Sequence, residues 1–424
     1  MHPLIVVSID AMVTEDLRIA RQFPTLDKLL QNAAILPKIK SIFPTLTYPC
    51  HVSQLTGNSI AKHGVINNEI FDCSKDSPDW IWNYDAIQTQ TILDVARQAG
   101  LKTGIFMWPV TANAPADYLV PEIWVKEGKS DAFEVLGANS SPIMTEKYLK
   151  KNLHHIEWNN QPLFDDLGVA LTLDVLENEE VDLLFLHLSC VDISRHKSGL
   201  FSDQVTKSIG RIDQYLGQII QLLDQKYSDG EYNLVLISDH GHRKVYRQLN
   251  LNVDLREHGL YREGTEDYGA YISGAGLAAF VNLSNSEDAE FKDALEKQLY
   301  QYLSEPRFGV DHLYTLEECR ELFDLDGDFS YCLISDTGTA FKNGAKGRIL
   351  RVMGDPDFEY ASTGHGHLPE LGIQPVFVGV GPSFQNGIYD TEHSILDEAP
   401  TFAHLLNLTL PYAEGRVMTE LLRL

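Results

Sequence analysis

Five short apolar runs punctuate the chain, and what lies between them fixes the class of fold. Leu4–Ile9, Gly104–Met107, Val181–Leu188, Leu234–Ser238 and Val376–Val380 each read as a buried strand. Stretches with helical spacing of apolar residues lie between them: Leu26–Ala33, Thr91–Ala99 closed by Gly100, Gly168–Leu176 and the long Gln204–Tyr227. Runs apolar throughout are buried on both faces, and parallel neighbours need a crossover between them. The alternation therefore predicts an α/β fold, a mostly parallel central sheet with helices on both faces. Residues 246–355 break the rhythm with glycine, acidic residues, short strands and one helix near Asp288–Leu303. They are expected to form a smaller inserted α+β cap, leaving 1–245 and 356–424 as one α/β domain.

A chain of 424 residues can bury a large core, and 44% hydrophobic with 22% charged is an ordinary globular composition. No apolar run reaches the roughly 18–20 residues that span a bilayer, so no membrane role is expected. The N-terminus enters a strand at once, without a secretory leader, which predicts a cytoplasmic protein. The five cysteines, an odd number without paired spacing, suit a reducing compartment and exclude a thiolate zinc knuckle. A net charge of -26 argues against a nucleic acid polymer as partner. A small anionic substrate stays open, because bound cations reverse the field locally.

In an open parallel sheet, ligands bind beyond the carboxyl ends of the strands. Asp10 ends the first predicted strand, Asp192 and His196 follow the third, and Asp239 and His240 end the fourth. Gly364-His365-Gly366-His367 adds two more imidazoles late in the chain. An aspartate at a strand end also serves as a helix cap or turn former, and a Gly-His repeat as a loop. Jointly, however, the segments deliver carboxylates and imidazoles to one sheet edge. Oxygen and nitrogen ligands without thiolate suit two divalent ions, Zn2+ first and Mn2+ second. Between Asp10 and Asp192, Phe43-Pro44-Thr45-Leu46-Thr47-Tyr48-Pro49 reads as a loop offering hydroxyl nucleophiles. The whole reads as a two-metal hydrolase with a covalent threonine intermediate.

On these motifs the chain resembles the nucleotide pyrophosphatase/phosphodiesterase family of the alkaline phosphatase superfamily. The resemblance implies an alkaline-phosphatase-like fold. It rests on Pro44-Thr45-Leu46-Thr47-Tyr48-Pro49, Asp192 with His196, Asp239-His240-Gly241, His365-Gly366, and His63-Gly64 followed by Asn68. It implies Thr47 as nucleophile, with Thr45 shaping the loop. One metal would be held by Asp192, His196 and His365, the other by Asp10, Thr47, Asp239 and His240. Asn68 would donate to a non-bridging phosphoryl oxygen, and Tyr48 and Trp108 would contact the substrate. His367 would sit beside the ligands without binding metal. The expected substrate is a small phosphate-containing molecule, nucleotide-like, cleaved at a phosphodiester or phosphoanhydride bond.

Leu46 replaces a lysine common in eukaryotic members, which leaves the leaving group open. A phosphonoacetate-hydrolase-like cleavage of a C–P bond would use the same metals and threonine. A monoesterase lacks a supporting motif, and the sulfatase signature is absent around Thr47. A catalytically silent metal-binding module would require a damaged ligand set, and this one is intact. Oligomeric state is not encoded in any of these features.

Overall fold

A computed structural model of the chain describes residues 1–124, 131–155, 163–227, 230–284, 288–336, 338–358 and 362–423. Its centre is an eight-stranded sheet. Across it run Gly387–Ile388, β2 (Ala34–Leu36), Phe377–Val380, β6 (Asn233–Ile237), β1 (Leu4–Ile9), β5 (Leu183–Leu188), β3 (Thr103–Phe106) and β4 (Tyr118–Val120). All neighbours pair in parallel except Phe377–Val380, which runs antiparallel to both of its own.

Strand side chains alternate between two apolar layers. Ile5, Val7, Leu184, Leu186, Leu234 and Leu236 face helices Leu163–Asn178 and Asp203–Lys226. Leu4, Val6, Leu183, Phe185, Val235 and Ile237 face helices Thr47–Thr56, Ile92–Gln98 and Glu398–Leu405. Burial on both faces explains why these strands read as unbroken apolar runs. The sheet is thus mostly parallel and covered on both sides, as expected. Three strands escaped the sequence pattern, Ala34–Leu36, Tyr118–Val120 and Gly387–Ile388, because two or three residues carry too little periodicity.

Between Arg247 and Val352 the chain forms two smaller sheets. One is antiparallel, in the order Val310–Thr315, Tyr331–Ser335, Ala278–Leu283, Ala270–Ala275. The other joins Thr339–Phe341, Arg247–Leu249 and Leu350–Val352. The expected helix is present as Ala289–Ser304, capped by Asp288. Two shorter ones, Leu251–Glu257 and Leu316–Phe323, were not anticipated. The second is announced only by its Thr315/Glu318 capping box. Ala275, Ala278 and Phe280 pack on Phe43, Leu46 and Ile60, so the antiparallel sheet abuts the loop that carries Thr47.

That contact tolerates no side chain at Gly366, whose φ is +91°. A Cβ there would lie 2.0 Å from the Ala275 carbonyl oxygen. Gly366→Ala is therefore expected to destabilise the fold by roughly 2–4 kcal/mol, since strain and clash act together. Urea unfolding checks this, and an unchanged midpoint would show that the two segments separate freely. Among the described residues, no helix is long and apolar enough to cross a membrane.

Candidate active site

Three adjacent strands, β6, β1 and β5, end at the same edge of the sheet. Asp10 directly follows β1, its N–H donating to Leu188 O at 2.9 Å. Asp239 and His240 follow β6. Asp192 and His196 lie four apart on helix Cys190–Ser198, which starts just beyond β5, so both face one side. Thr47 reaches this edge as the first residue of helix Thr47–Thr56, which is buried along its full length. Two hydrogen bonds hold that segment to the end of β6: Gln54 Nε2 to Ser238 O at 3.0 Å, and Ser41 Oγ to Asp239 O at 2.6 Å.

The ligating atoms gather in two overlapping clusters. Asp192, His196, His242 and His365 form one, and Asp10, Asp192 and His240 the other, all within 4.8 Å in each. In the first, Asp192 Oδ1 lies 2.5 Å from His242 Nε2, 3.5 Å from His196 Nε2 and 3.9 Å from His365 Nε2. In the second, His240 Nε2 lies 3.1 Å from Thr47 Oγ1, 3.3 Å from Asp239 Oδ2 and 3.6 Å from Asp10 Oδ1. Every residue named from the sequence as a ligand is therefore brought to this edge.

The electrostatics call for cations. Asp10 Oδ1 and Asp239 Oδ2 are buried without a hydrogen-bond partner, a costly state for a carboxylate. Burial, then repulsion from Asp239 and Asp192, pushes the Asp10 carboxyl well above the usual range. Burial likewise raises Asp239, against the pull of the His51 ring. Carboxylates that oppose one another's ionisation, set among imidazoles, fit a divalent metal site.

Thr45 ties the Thr47 loop to the late histidines. Its hydroxyl donates to His367 O at 3.0 Å and accepts from Gly366 N at 3.0 Å, while its carbonyl accepts from His365 Nδ1 at 3.0 Å. His367 lies 3.3 Å from Thr45 Oγ1 through Nδ1 and falls outside both metal clusters. Burial pushes its imidazole down to about 3, so the ring is neutral at physiological pH. Asn68 accepts from Tyr48 N through Oδ1 at 2.9 Å, which leaves its Nδ2 to donate.

The two aromatic rings expected to contact substrate are both buried, and neither lines the cavity beside the clusters. Trp108 is 0% exposed, packed edge-on against Phe185 and His51 beneath the Thr47 helix. Tyr48 is equally buried, because one step along the helix from Thr47 turns its ring inward against Val52, Val65 and Val110. Trp80, packed edge-on to Tyr48 at 5.0 Å, and Phe341 line the site instead. They border a cavity of about 610 Å³ that opens onto His196 and His365 and also meets Asn68, Glu69 and Lys342.

Three further histidines escaped the sequence reading. His242 repeats the imidazole two residues after His240, as His367 does after His365, and that His-Gly-His pairing was the available signal. His187 interrupts an apolar strand and bridges Glu122, at 2.9 Å, to Asp10, at 3.3 Å. Burial works against its charge, but the hydrogen bonds to Asp10 and Glu122 outweigh it and raise the ring well above the usual imidazole range. His51 lies 2.9 Å from Ser8 Oγ and 2.8 Å from Thr47 O. Burial and the neighbouring His187 push it down to about 3.

A strand-edge site of this composition defines a class, α/β proteins with a candidate metal site at the sheet edge, and comparison with known proteins narrows it. The family model for type I phosphodiesterase / nucleotide pyrophosphatase matches residues 4–367. Human ectonucleotide pyrophosphatase/phosphodiesterase family member 1 is 25% identical over 56% of this chain and 23% of its own. Rat family member 7 is 21% identical over 91% and 79%. The chain spans about a quarter of the length of the first of these relatives. Murine ectonucleotide pyrophosphatase/phosphodiesterase 5 superimposes with a TM-score of 0.69 at 20% identity, covering 100% of both chains. An inactive threonine-to-alanine variant of that murine protein, solved in complex with AMP, gives 0.70 at 19% identity. The chain belongs to the type I phosphodiesterase / nucleotide pyrophosphatase family of hydrolases.

Proposed function

We propose that this chain is a two-metal-dependent hydrolase of phosphodiester or phosphoanhydride bonds in small, nucleotide-like molecules, acting through a phospho-threonine on Thr47. The observation that carries the reading is the 3.1 Å approach of Thr47 Oγ1 to His240 Nε2 at the edge of the clustered carboxylates. Asp10, Thr47, Asp239 and His240 would hold one divalent ion, and Asp192, His196 and His365 the other. Zn2+ suits the imidazoles, with Mn2+ the second candidate. When bound, the ions supply positive charge that favours the Thr47 alkoxide and offsets charge on the leaving oxygen.

The chain's own residues account for the rest. Thr47 Oγ attacks phosphorus, the bond from phosphorus to the leaving oxygen breaks, and the proton given up by Thr47 ends on the departing group. Thr47 opens a ten-residue helix; Tyr48 N is given to Asn68, Pro49 has no N–H and Cys50 N bonds Leu46 O, so the N–H of Thr47 is the first-turn donor left for a phosphoryl oxygen. Asn68 Nδ2 holds a non-bridging oxygen. Water then attacks phosphorus, the bond to Thr47 Oγ breaks, and the hydroxyl is restored. Trp80 flanks the group carried by the phosphate, and AMP bound to the murine relative supports a nucleoside there. Residues 246–355 serve as the inserted cap to a domain of 1–245 and 356–424. Five free cysteines support a cytoplasmic location.

The test is turnover of bis(p-nitrophenyl) phosphate by chelated protein, before and after zinc or manganese is restored. The monoester, a dinucleotide polyphosphate and phosphonoacetate run in parallel. Diester hydrolysis should fall at least about a thousandfold on chelation and return with metal. Preference for phosphonoacetate would replace the proposed bond by C–P, and diester turnover indifferent to chelation would end the two-metal reading.

A further inference from the structure

We infer that His242 is a fourth protein ligand of the Asp192 metal, which makes that position an Asp–His–His–His set. The inference rests on the reading that these clusters bind divalent ions, and it adds a ligand that the family resemblance does not supply.

The argument is one of proton accounting. A neutral imidazole has one N–H and one lone pair, and whichever nitrogen donates fixes the role of the other. Thr363 Oγ1 has a single proton, and it is donated to the Arg195 carbonyl at 2.7 Å. Toward His242 Nδ1, 3.0 Å away, that oxygen can only accept. His242 therefore carries its proton on Nδ1 and presents a lone pair at Nε2. His196 follows the same rule, its Nδ1 donating to Thr363 O at 2.9 Å. So does His365, whose Nδ1 donates to Thr45 O at 3.0 Å. Three Nε2 lone pairs thus converge on Asp192 Oδ1, that of His242 closest at 2.5 Å. Lone pairs facing a carboxylate oxygen repel unless a cation lies among them. One carboxylate and three imidazoles are ligand types that zinc takes. Outer partners that fix each ring, here Thr363 and Thr45, are typical of metal-bound histidine.

His242 is also placed to stay. The short strand Arg243–Lys244 pairs antiparallel with Thr363–Gly364, binding the segment after His242 to the one that orients it. The Thr47 position is built differently, from the carboxylates of Asp10 and Asp239, the His240 imidazole and the Thr47 hydroxyl. The two positions should then part with metal unequally: the Asp192 position holds its ion while the Thr47 position exchanges.

The decisive measurement uses cobalt as probe and needs no turnover. In cobalt-loaded His242→Cys, a ligating sulfur gives a thiolate-to-cobalt charge-transfer band in the near ultraviolet. The band is expected at one thiolate per chain and absent from the wild type, whose five cysteines lie outside both clusters. In parallel, His242→Ala should lose metal to a chelator at least about tenfold faster than wild type, at the slowly exchanging position only. Far-ultraviolet circular dichroism confirms that both variants are folded. A folded His242→Cys that binds two cobalt ions without the band would overturn the inference, as would unchanged retention in His242→Ala. Loss of diesterase activity alone does neither, which keeps this result separate from the proposed reaction.

Discussion

Thr47→Ala is expected to lose diester turnover by about 10⁴-fold or more, with the fold preserved. Its Oγ1 is the hydroxyl that meets His240 Nε2 at the edge of the carboxylate cluster. Removing a nucleophile costs the whole covalent pathway rather than one stabilising contact, and measured losses of this kind reach 10⁴–10⁶. The methyl of alanine still fits, because Thr47 is the first helical residue and its backbone makes the contacts that hold the loop. Thr47→Ser keeps the oxygen but frees its rotamer, so an intermediate loss is expected. The check is single-turnover kinetics on bis(p-nitrophenyl) phosphate, with mass spectrometry of quenched wild type to find phosphate on Thr47. A variant that cleaves as fast as wild type would remove Thr47 from the reaction. Phosphate trapped on Thr45 would move the role two residues back, against the three hydrogen bonds that commit Thr45 to the loops of His365 and His367.

The parts of this site that were legible in the sequence are those fixed by strand ends. Asp10, Asp239 and His240 sit where an apolar run stops, and a parallel sheet brings such points together whatever the rest of the chain does. Asp192 and His196 needed one further inference, that four residues on a helix share a face. His242 was signalled only by its spacing from His240, and its orientation depends on the pairing of Arg243–Lys244 with Thr363–Gly364, more than 100 residues away. Tyr48 and Trp108 failed for a related reason. Nearness to Thr47 in sequence says nothing about which way a ring turns, and both turned into the core. Trp80, which does line the cavity, lies in a stretch with neither helical nor strand periodicity. The main sheet was read from the apolar runs, whereas the helices Leu251–Glu257 and Leu316–Phe323 are too short for amphipathic spacing to stand out.

Asp239→Asn should move stability and function in opposite directions. In the metal-free protein, Asp239 Oδ1 accepts from Ala11 N at 3.1 Å and His240 N at 2.9 Å, and an asparagine oxygen can accept both. Oδ2 is buried without a hydrogen-bond partner. Asparagine keeps the shape, removes a buried charge and relieves the repulsion on Asp10, whose carboxyl is raised by burial and then by Asp239. The metal-free variant should therefore be more stable than wild type by about 1–3 kcal/mol at neutral pH. The pH dependence supplies the sign. A carboxyl whose folded pKa is raised above its unfolded value of 3.8 binds more protons in the folded state. Its contribution to stability is full below that value and is lost as pH rises through the folded pKa. Metal-free wild type should then lose stability from about pH 4 upward more steeply than the variant, by calorimetry across that range. Divalent metal should reverse the order, raising the melting temperature of wild type and far less that of Asp239→Asn, whose diesterase rate should fall at least about a thousandfold. A metal-free variant less stable than wild type at neutral pH would show that the carboxylate is satisfied without a cation, and the case for metal at this position would fail with it. The expected pattern is instead that of a site whose ligands strain the fold until metal arrives, with stability given up for a charge arrangement that only the reaction uses.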